Sequence, residues 1–494
     1  MIKRTIAASG RSSPAGGAAV AGTASGGART ASGGAVGDLW QRLFPASRST
    51  GRALRLAGLT AGVTGSYVGY MMQRLVLGHD AGERRRRATH AKAGRRIRDE
   101  LMSLRGPVMK VGQALSLHTD LVPEEMLAEL TSLQMEAPGM HPSLARVQFK
   151  ASLARDPEQV FARFDDHPFA AASLGQVHRA ILRDGTRVVV KIQYPGIRAA
   201  IQNDFRLLRQ IALPARASGH LPVTAIDEMQ AEIEAETDYV REAAHLEFFG
   251  DALGPLTGIT VPRVFPQHST DRVLTMTEVA GSHLDAFLAA RPSQRLRNAV
   301  GRRLMELFYF QLLVLKRLHA DPHWGNYLFR EDGSIGLVDF GCVKSLEADL
   351  VRRLRKSFLY SGRFDSAEFH QIVQEQFAAP GKTVAPRTRL AIVEFADHFY
   401  RKVYPPEATS AFLFDFADPA FLRDFMRAAN NLTRAKGVVP ELIFVSRAEI
   451  GLYATLHRLR ARVPTSDIVR RLLAASGTSV VPARRSSLTA SRRS

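Results

Sequence analysis

The segment that decides the fold is HADPHWGNYLFREDGSIGLVDFG, residues 319–341. Asp321 and Asn326 stand five positions apart in it, and Asp339 follows Asn326 thirteen positions later. The residues between Asn326 and Asp339 read as a short hairpin that turns at 331–333, where the sequence is Glu-Asp-Gly. A hairpin brings its ends together, so we expect Asn326 and Asp339 to offer oxygen ligands to one Mg²⁺, with the catalytic carboxylate of Asp321 beside them.

A lysine within an apolar strand is the second part of the pattern. Residues 177–182 and 187–193 are strand-like, and the Asp-Gly between them predicts a tight hairpin. Lys191 lies inside the second strand, RVVVKIQ, and a buried lysine needs an anionic partner. It follows Val177 by 14 positions, which is where a protein kinase places the lysine that holds the α- and β-phosphates of ATP. We therefore assign Lys191 to phosphate binding and catalysis.

Upstream of this hairpin lies FAAASLGQVH, residues 169–178, which fits a kinase glycine-rich loop with alanine in place of the first two glycines. Each added Cβ takes up space near the phosphates and removes backbone freedom. We expect the loop to bind nucleotide but to hold its phosphates differently. The loop residues assigned to ATP are Ala170, Ala171, Ala172, Ser173, Gly175 and Val177.

An acidic helix and an extended link complete the predicted site. Residues 224–249 read as one helix that opens with a capping-type Thr-x-x-Asp, and Glu232 and Glu236 share one of its faces. Of these two candidates, Glu232 is predicted to pair with Lys191. The link that begins at Glu278 is predicted to bind the adenine edge of ATP and to connect two lobes.

Together these residues resemble the UbiB/AarF atypical kinase-like family, whose mitochondrial members assist coenzyme Q synthesis. The resemblance covers residues 95–350, and its further markers are K-x-G-Q at Lys110, Gly112 and Gln113 and E-x-D at Glu236 and Asp238. It implies an α+β, two-lobed protein-kinase-like fold with an N-terminal helical extension and a mostly helical C-lobe. It also implies that K-x-G-Q packs over the active site and meets E-x-D, which gives these five residues a regulatory role.

Two further features of the sequence concern the substrate and the catalytic loop, which is the segment from Asp321 to Asn326. Trp324 stands where the family usually has proline. The sequence has no A-P-E after 339–341 and runs directly into the helix-like stretch EADLVRRLRKSFL, residues 347–359, which leaves no room for a protein-substrate platform. The pattern therefore predicts ATP binding with slow hydrolysis, or phosphorylation of a small molecule or lipid.

The net charge of +20 sits at the two ends of the chain. Residues 1–98 carry 17 Lys and Arg against three acidic residues, and 476–494 carry four arginines and no acid, so the body is close to +2. Because no aromatic residues alternate with these arginines, a tether to anionic lipid or an import signal is favoured over specific nucleic-acid binding.

The single cysteine, Cys342, excludes an intramolecular disulfide framework and a cysteine-built metal site.

A glycine-rich apolar stretch, LAGLTAGVTGSYVGYMM at 56–72, follows the basic start. It predicts either a membrane-associating helix or a linker helix, and its small-xxx-small glycines would let two copies form a homodimer. The predicted segments are a disordered basic Gly/Ala/Ser-rich N-terminus (1–50), the Gly-rich helix (51–90), the helical extension with K-x-G-Q (91–155), the N-lobe (156–282), the C-lobe (283–475) and a disordered basic tail (476–494).

The sequence thus predicts a kinase-like protein that binds ATP or ADP with Mg²⁺ and supports ubiquinone or related isoprenoid-lipid metabolism at a membrane surface. Two alternatives stay open, a catalytically silent ATP-gated scaffold or lipid-extraction chaperone and a soluble small-molecule phosphotransferase. The predicted partners are nucleotide, a lipid surface or isoprenoid and quinone lipids, and ubiquinone-biosynthesis proteins. The predicted location is the cytoplasmic face of a bacterial inner membrane, with a mitochondrion as the alternative.

Overall fold

The structure is a computed structural model that describes residues 140–475 apart from 173, 204, 207–208, 210–224, 322, 360–365, 370, 373–382, 384–385, 406–407, 410 and 434–439. Outside that range it describes only Lys92 and Arg95. The two terminal tails, the Gly-rich helix and the K-x-G-Q residues lie outside the described residues, so what the sequence predicts for them stays a prediction.

The N-terminal lobe combines short strands with helices. In chain order it contains α1 (Pro142–Leu153), α2 (Pro157–Val160), β1 (Phe161–Phe164), β2 (Ala170–Ala172), β3 (Gly175–Leu182), β4 (Arg187–Gln193), α3 (Ala225–Ala235), α4 (Tyr239–Ala252), β5 (Ile259–Thr260) and β6 (Val273–Thr277). A five-stranded antiparallel sheet follows the order β1-β3-β4-β6, with β2 paired to β3. The predicted hairpin of β3 and β4 is confirmed, and Gly185 gives its turn a φ of +85°.

Strand β4 divides its side chains between two buried surfaces because successive residues of a strand point to opposite faces. Val188, Val190 and Ile192 belong to the core of the N-terminal lobe. Val189 faces the other way, into the core that continues through the C-terminal lobe. Lys191 alternates with Val190 and Ile192, so it shares the face of Val189, which is the face that meets α4 and the C-terminal lobe.

The acidic segment is not one helix, and the prediction of a continuous helix over 224–249 is wrong. Helix α3 ends at Ala235 and α4 begins at Tyr239. The carboxylate of Asp238 caps α4 by accepting hydrogen bonds from the backbone N–H groups of Val240 and Arg241, at 3.1 Å each. The carbonyl of Thr237 bonds to side chains from outside the helix and is therefore not part of a helical ladder.

The C-terminal lobe is mostly helical, as predicted. Its elements are α5 (Leu284–Ala289), α6 (Gln294–Phe310), β7 (Arg317–His319), β8 (Tyr327–Phe329), β9 (Ile335–Leu337), β10 (Val343–Ser345), α7 (Ala348–Leu359), α8 (Pro386–Val403), β11 (Phe414–Asp415), α9 (Pro419–Thr433), α10 (Pro440–Leu459), β12 (Arg462–Val463) and α11 (Thr465–Ala475). A single π-helical turn, Gln311–Leu315, extends α6 toward β7.

Two small sheets in this lobe hold the predicted catalytic segment. Strands β8 and β9 form the predicted hairpin, which turns at Gly333 with a φ of +77°, and β5 pairs with β9 in parallel. Strand β10 pairs with β7 in antiparallel. The loop between β7 and β8 and the segment between β9 and β10 therefore emerge side by side. After β10 the chain enters α7 at once, as the sequence predicts.

Each lobe is stabilised by its own buried apolar cluster. The N-terminal cluster packs α1 against the sheet through Phe149, Phe161 and their neighbours, and the larger cluster runs from β6 and α4 through α6 to α11. In the second cluster, α6 lies close to the chain that follows α10, because an added Cβ at Gly301 would lie 2.6 Å from that of Ala461. Within the part of the chain that the structure describes, no helix is both long enough and apolar enough to span a membrane.

Candidate nucleotide and metal site

The site is centred on Lys191, which is 5% exposed in the middle of β4. Its Nζ lies 2.5 Å from Oε1 of Glu242 on α4 and 3.1 Å from Oδ2 of Asp339, between β9 and β10. Val177 stands directly opposite Lys191 on β3. The structure therefore brings together residues from three of the predicted motifs, the lysine strand, the alanine-rich segment and the Asp-Phe-Gly sequence at 339–341.

The three charged groups determine one another's protonation. Burial alone would lower the pKa of Lys191, but the carboxylates of Asp339 and Glu242 outweigh it and raise that pKa above its usual value. For Asp339, burial by itself would raise the pKa, but Lys191 and the N–H of Gly341 lower that pKa to about 2. Burial raises the pKa of Glu242, which shares the single lysine charge with Asp339. The ammonium is thus charged and balanced by two acidic groups.

The partner of Lys191 is Glu242, and the prediction of Glu232 is wrong. Oε1 of Glu232 instead lies 2.9 Å from Nζ of Lys344 in β10. The error follows from treating residues 224–249 as one helix, because the break before Tyr239 changes which face of each helix points at β4. Glu242 lies in the first turn of α4, outside the residues that the sequence pattern assigns to the site.

A sequence signal for Glu242 does exist. The buried positions of α4 include Tyr239, Glu242, Leu246 and Phe249, which are spaced three, four and three residues apart. Such spacing marks the core-facing stripe of a helix, and a carboxylate within an otherwise apolar stripe needs a buried cation. Glu242 also accepts a hydrogen bond from the backbone N–H of Phe340 at 3.2 Å, so it fixes the Asp-Phe-Gly segment as well as Lys191.

The loop between β7 and β8 orients Asp321 and Asn326 toward each other. Nδ2 of Asn326 donates to Oδ2 of Asp321 at 2.9 Å, and the N–H of His323 donates to the other carboxylate oxygen at 3.1 Å. Because the amide nitrogen of Asn326 faces Asp321, its Oδ1 is the atom left to face a cation. His319 serves as an anchor, with Nε2 2.5 Å from the backbone oxygen of Asp339.

Asp339 and Asn326 lie at the two ends of the β8–β9 hairpin. The N–H of Val338 donates to the carbonyl of Asn326 at 3.1 Å, which extends the strand ladder up to the predicted metal ligands. Phe340 locks the segment in place, since it is fully buried against Phe249 at a ring distance of 5.0 Å. Replacing such a ring by alanine typically costs about 3–5 kcal/mol.

These donors fit Mg²⁺, which prefers oxygen ligands and often takes only one or two from the protein, with phosphate oxygens and water supplying the others. Asp339 offers an ionised carboxylate and Asn326 an amide oxygen. Cys342 is not a rival ligand, because burial and the nearby carboxylates raise the pKa of its thiol to about 12. Among the residues that the structure describes, no group of three or more His, Cys, Asp or Glu is placed to hold a metal.

The alanine-rich segment is a tight hairpin rather than an open loop. Ala170 pairs with Val177 and Ala172 with Gly175, which leaves a turn of two residues. Gly175 has a structural reason to be glycine, because an added Cβ would lie 2.3 Å from the carbonyl oxygen of Ile192 on β4. Ser173 and the side chain of Ala171 lie outside the described part of the chain.

Glu278 begins the link between the lobes, and its carboxylate is already engaged. It accepts hydrogen bonds from Nε of Arg179 and Nε of Arg187 at 2.8 Å each. Burial would raise the pKa of Glu278, but these two arginines lower it below its usual value. Its own N–H donates to the carbonyl of Arg187 at 3.0 Å. Any contact of Glu278 with adenine would therefore use its backbone carbonyl and not its side chain.

The E-x-D pair borders the site in two different ways. Glu236 lies beside Gly341, because a Cβ added at Gly341 would be 3.9 Å from Cγ of Glu236. Asp238 is the cap of α4, which carries Glu242. The predicted meeting with Lys110, Gly112 and Gln113 involves residues outside those described and remains a prediction.

Comparison with known proteins supports a kinase-like fold for this chain. Residues 132–373 match the family model of the ABC1 atypical kinase-like domain. Atypical kinase COQ8, mitochondrial, from Saccharomyces cerevisiae is 33% identical over 273 residues, which cover 54% of this chain and 54% of that protein. Protein ACTIVITY OF BC1 COMPLEX KINASE 7, chloroplastic, from Arabidopsis thaliana is 35% identical over 269 residues, which cover 53% of this chain and 38% of that protein. The chain thus matches about half or less of the length of these relatives.

A solved structure shows the same architecture. Rv3197 from Mycobacterium tuberculosis, determined in complex with erythromycin, superposes with a TM-score of 0.56 at 26% sequence identity. The similarity covers 75% of this chain and 92% of that one. Together with the matched domain, it confirms the predicted α+β, kinase-like fold.

Proposed function

Because the chain belongs to the ABC1 atypical kinase-like family, which includes the UbiB and AarF proteins, we propose that it binds ATP or ADP with Mg²⁺ and acts as an atypical kinase or ATPase. The observation that carries the proposal is the position of Lys191, buried between Glu242 and Asp339. A lysine held in this way is ready to exchange one carboxylate for the phosphates of a nucleotide.

The two carboxylates have different roles in this proposal. Glu242 is 3% exposed, so it keeps its contact with Lys191 whether or not a nucleotide is bound. The side chain of Asp339 is 38% exposed, so phosphates can replace it at the lysine while it turns to the cation. Asn326 and Asp339 would hold Mg²⁺, which when bound neutralises charge on the phosphates.

Asp321 is the proposed catalytic acid–base group. Its carboxylate oxygens each accept one hydrogen bond, from His323 and from Asn326, and these bonds fix its orientation. Each oxygen retains a lone pair that can accept the proton of an attacking hydroxyl or orient a water molecule. Binding of the phosphates by Lys191 and of the attacking group by Asp321 would place the reactants in line.

The proposed acceptor is water, a small molecule or a lipid. Strand β10 follows the Asp-Phe-Gly segment after one residue and leads into α7 at Ala348, so the described chain carries no long activation segment at this point. The resemblance to UbiB/AarF proteins, together with mitochondrial relatives such as COQ8, supports a role in ubiquinone or related isoprenoid-lipid metabolism. The basic N-terminal region supports attachment to an anionic membrane surface.

The first test is the thermal stabilisation of the full chain by ATP with Mg²⁺. We expect Mg·ATP to raise the melting temperature of the wild type and to have little effect on Asp339→Asn, because the variant loses the anionic metal ligand. Asp251→Asn, an exposed change on α4, is the matched control and should respond like the wild type. Equal stabilisation of Asp339→Asn and wild type would show that the nucleotide site has been misassigned.

A second test separates an enzyme from an ATP-gated scaffold. Single-turnover release of phosphate is measured with and without liposomes that contain isoprenoid lipids. Release that depends on Asp321 supports catalysis, whereas tight Mg·ATP binding without release in either condition supports the scaffold.

A third test addresses the membrane attachment. The full chain and a variant in which Arg84–Arg87 are changed to Gln are floated with anionic liposomes. Flotation of the wild type excludes the soluble phosphotransferase.

A further inference from the structure

Trp324 occupies the catalytic loop between Asp321 and Asn326 and makes contacts that no catalytic role explains. It is the first residue of a 3-10 turn that ends at Asn326. Its ring stacks on His323, with the ring centres 5.1 Å apart and the planes at 27°. It also packs against the apolar core of the C-terminal lobe. A large ring is therefore fixed within two residues of a predicted metal ligand.

Arg458, which is far from Trp324 in the sequence, contacts this ring in the folded lobe. It lies in the last turn of α10, and its guanidinium carbon is 4.9 Å from the centre of the Trp324 ring. The same guanidinium donates a hydrogen bond to Asp285 in the first turn of α5, the helix that follows the link between the lobes. Arg458 thus connects the catalytic loop with the start of the C-terminal lobe.

The turn transmits the position of Trp324 to Asn326. The N–H of Gly325 donates to Nδ1 of His323 at 3.0 Å, and the N–H of Asn326 donates to the carbonyl of His323 at 3.1 Å. With residues 323–326 bonded to one another, holding the ring of Trp324 holds the backbone of Asn326. That backbone sets the direction of the amide that donates to Asp321 at 2.9 Å.

We propose that Arg458 and Trp324 are positioning residues for Asn326, so that the contact between guanidinium and indole sets the affinity of the site for Mg²⁺. The inference rests on the proposed function, because it assumes that Asn326 is a metal ligand. This contact affects the affinity for Mg²⁺ more than a partly exposed cation–π contact would by itself, because it orients Asn326. A ligand of Mg²⁺ must meet a strict geometry. Asp285 supports it by holding the guanidinium in place.

The test measures ATP binding to the full chain by calorimetry, once with excess Mg²⁺ and once with EDTA. Arg458→Met keeps the length of the side chain but loses the charge, and Trp324→Leu removes the ring. We expect either change to weaken binding with Mg²⁺ by about threefold to tenfold and to leave binding in EDTA unchanged. Arg458→Lys and Trp324→Phe should recover part of the loss. The double variant should be no weaker than Trp324→Leu alone, because Arg458 acts through the ring.

Arg263→Met is the matched control, because Arg263 lies over Phe265 at the same distance of 4.9 Å and, among the described residues, makes no contact with the catalytic loop. It should leave both affinities unchanged. A purely structural role for Arg458 would lower the melting temperature without changing the Mg²⁺ dependence, and that result would overturn the inference. If the wild type binds ATP equally well with and without Mg²⁺, it is the proposed function that fails, which is a distinct outcome.

Discussion

Glu242 and Lys191 form an ion pair of 2.5 Å in which both residues are at most 5% exposed. The pair joins α4 to β4, and the same Glu242 oxygen accepts the N–H of Phe340. One carboxylate thus ties the N-terminal sheet to the Asp-Phe-Gly segment of the C-terminal lobe. We expect loss of this carboxylate to affect both stability and the proposed nucleotide site, and a comparison with Glu232 tests this.

We expect Glu242→Gln to lower the free energy of unfolding by about 1–3 kcal/mol, because it leaves Lys191 with Asp339 as its remaining anionic partner. It should also weaken Mg·ATP binding. Glu232→Gln is the matched control, since its partner Lys344 is partly exposed and such pairs contribute under about 1 kcal/mol. Urea denaturation and calorimetry measure both effects. Equal losses in the two variants would contradict the assignment of Glu242 as the functional partner.

A second prediction concerns Glu449, which lies in a cluster of buried tyrosines. Tyr309 and Tyr453 donate hydrogen bonds to its Oε1 at 2.7 and 3.0 Å, and Tyr404 bonds to both hydroxyls. Burial raises the pKa of Glu449 from 4.5 to about 7 despite the two donated bonds. The folded protein therefore binds a proton that the unfolded chain releases. The stabilisation that this proton gives is complete below pH 4.5 and is lost as the pH rises through about 7.

We expect the wild type to lose about 1–3 kcal/mol of stability from this group between pH 5 and pH 8. Glu449→Gln should remove that part of the decline, because the amide cannot ionise. Glu247→Gln, an exposed change on α4, should keep it. Urea unfolding at a series of pH values gives the comparison. A decline of the same size in Glu449→Gln and wild type would mean that Glu449 does not titrate in this range.

The local sequence is sufficient to predict those parts of the candidate site's geometry that depend on neighbouring residues. The spacing of Asp321, Asn326 and Asp339 predicts a hairpin with polar ends because a tight turn and short strands fix the geometry within 20 or so residues. Lys191 could be found for the same reason, as a charge within a continuous apolar strand. These predictions needed no knowledge of distant contacts.

The partner of Lys191 could not be found in this way, because it depends on where the acidic helix breaks. The break is set by the carbonyl of Thr237, which accepts hydrogen bonds from Gln193 at 2.5 Å and Arg198 at 2.8 Å. Both donors lie in or after β4, about 40 residues upstream, so the helix boundary is a tertiary effect. The role of Trp324 likewise depends on Arg458, which only the folded lobe brings near.

A third prediction concerns Gly175. An added Cβ there would lie 2.3 Å from the carbonyl oxygen of Ile192 and 3.0 Å from Cα of Gln193, so β3 and β4 would have to move apart. We expect Gly175→Ala to lower the free energy of unfolding by about 1–3 kcal/mol. The same substitution in the turn between β3 and β4, Gly185→Ala, meets no atom within 4 Å but strains a φ of +85°, so it should cost about 1 kcal/mol. A milder effect at 175 than at 185 would contradict the steric argument.

The last prediction concerns Ala172, which pairs with Gly175 at the end of the β2–β3 hairpin. If this hairpin covers the phosphates, the Cβ of Ala172 limits how closely the backbone approaches them, and Ala172→Gly should favour the ligand with more phosphates. We expect the ratio of the ADP to the ATP dissociation constant to rise by about threefold or more, as measured by calorimetry with Mg²⁺. Ala180→Gly, within β3 and buried, is the control for the general cost of a strand glycine. It should lower stability and leave the ratio unchanged. An unchanged ratio in Ala172→Gly would place the phosphates away from this hairpin.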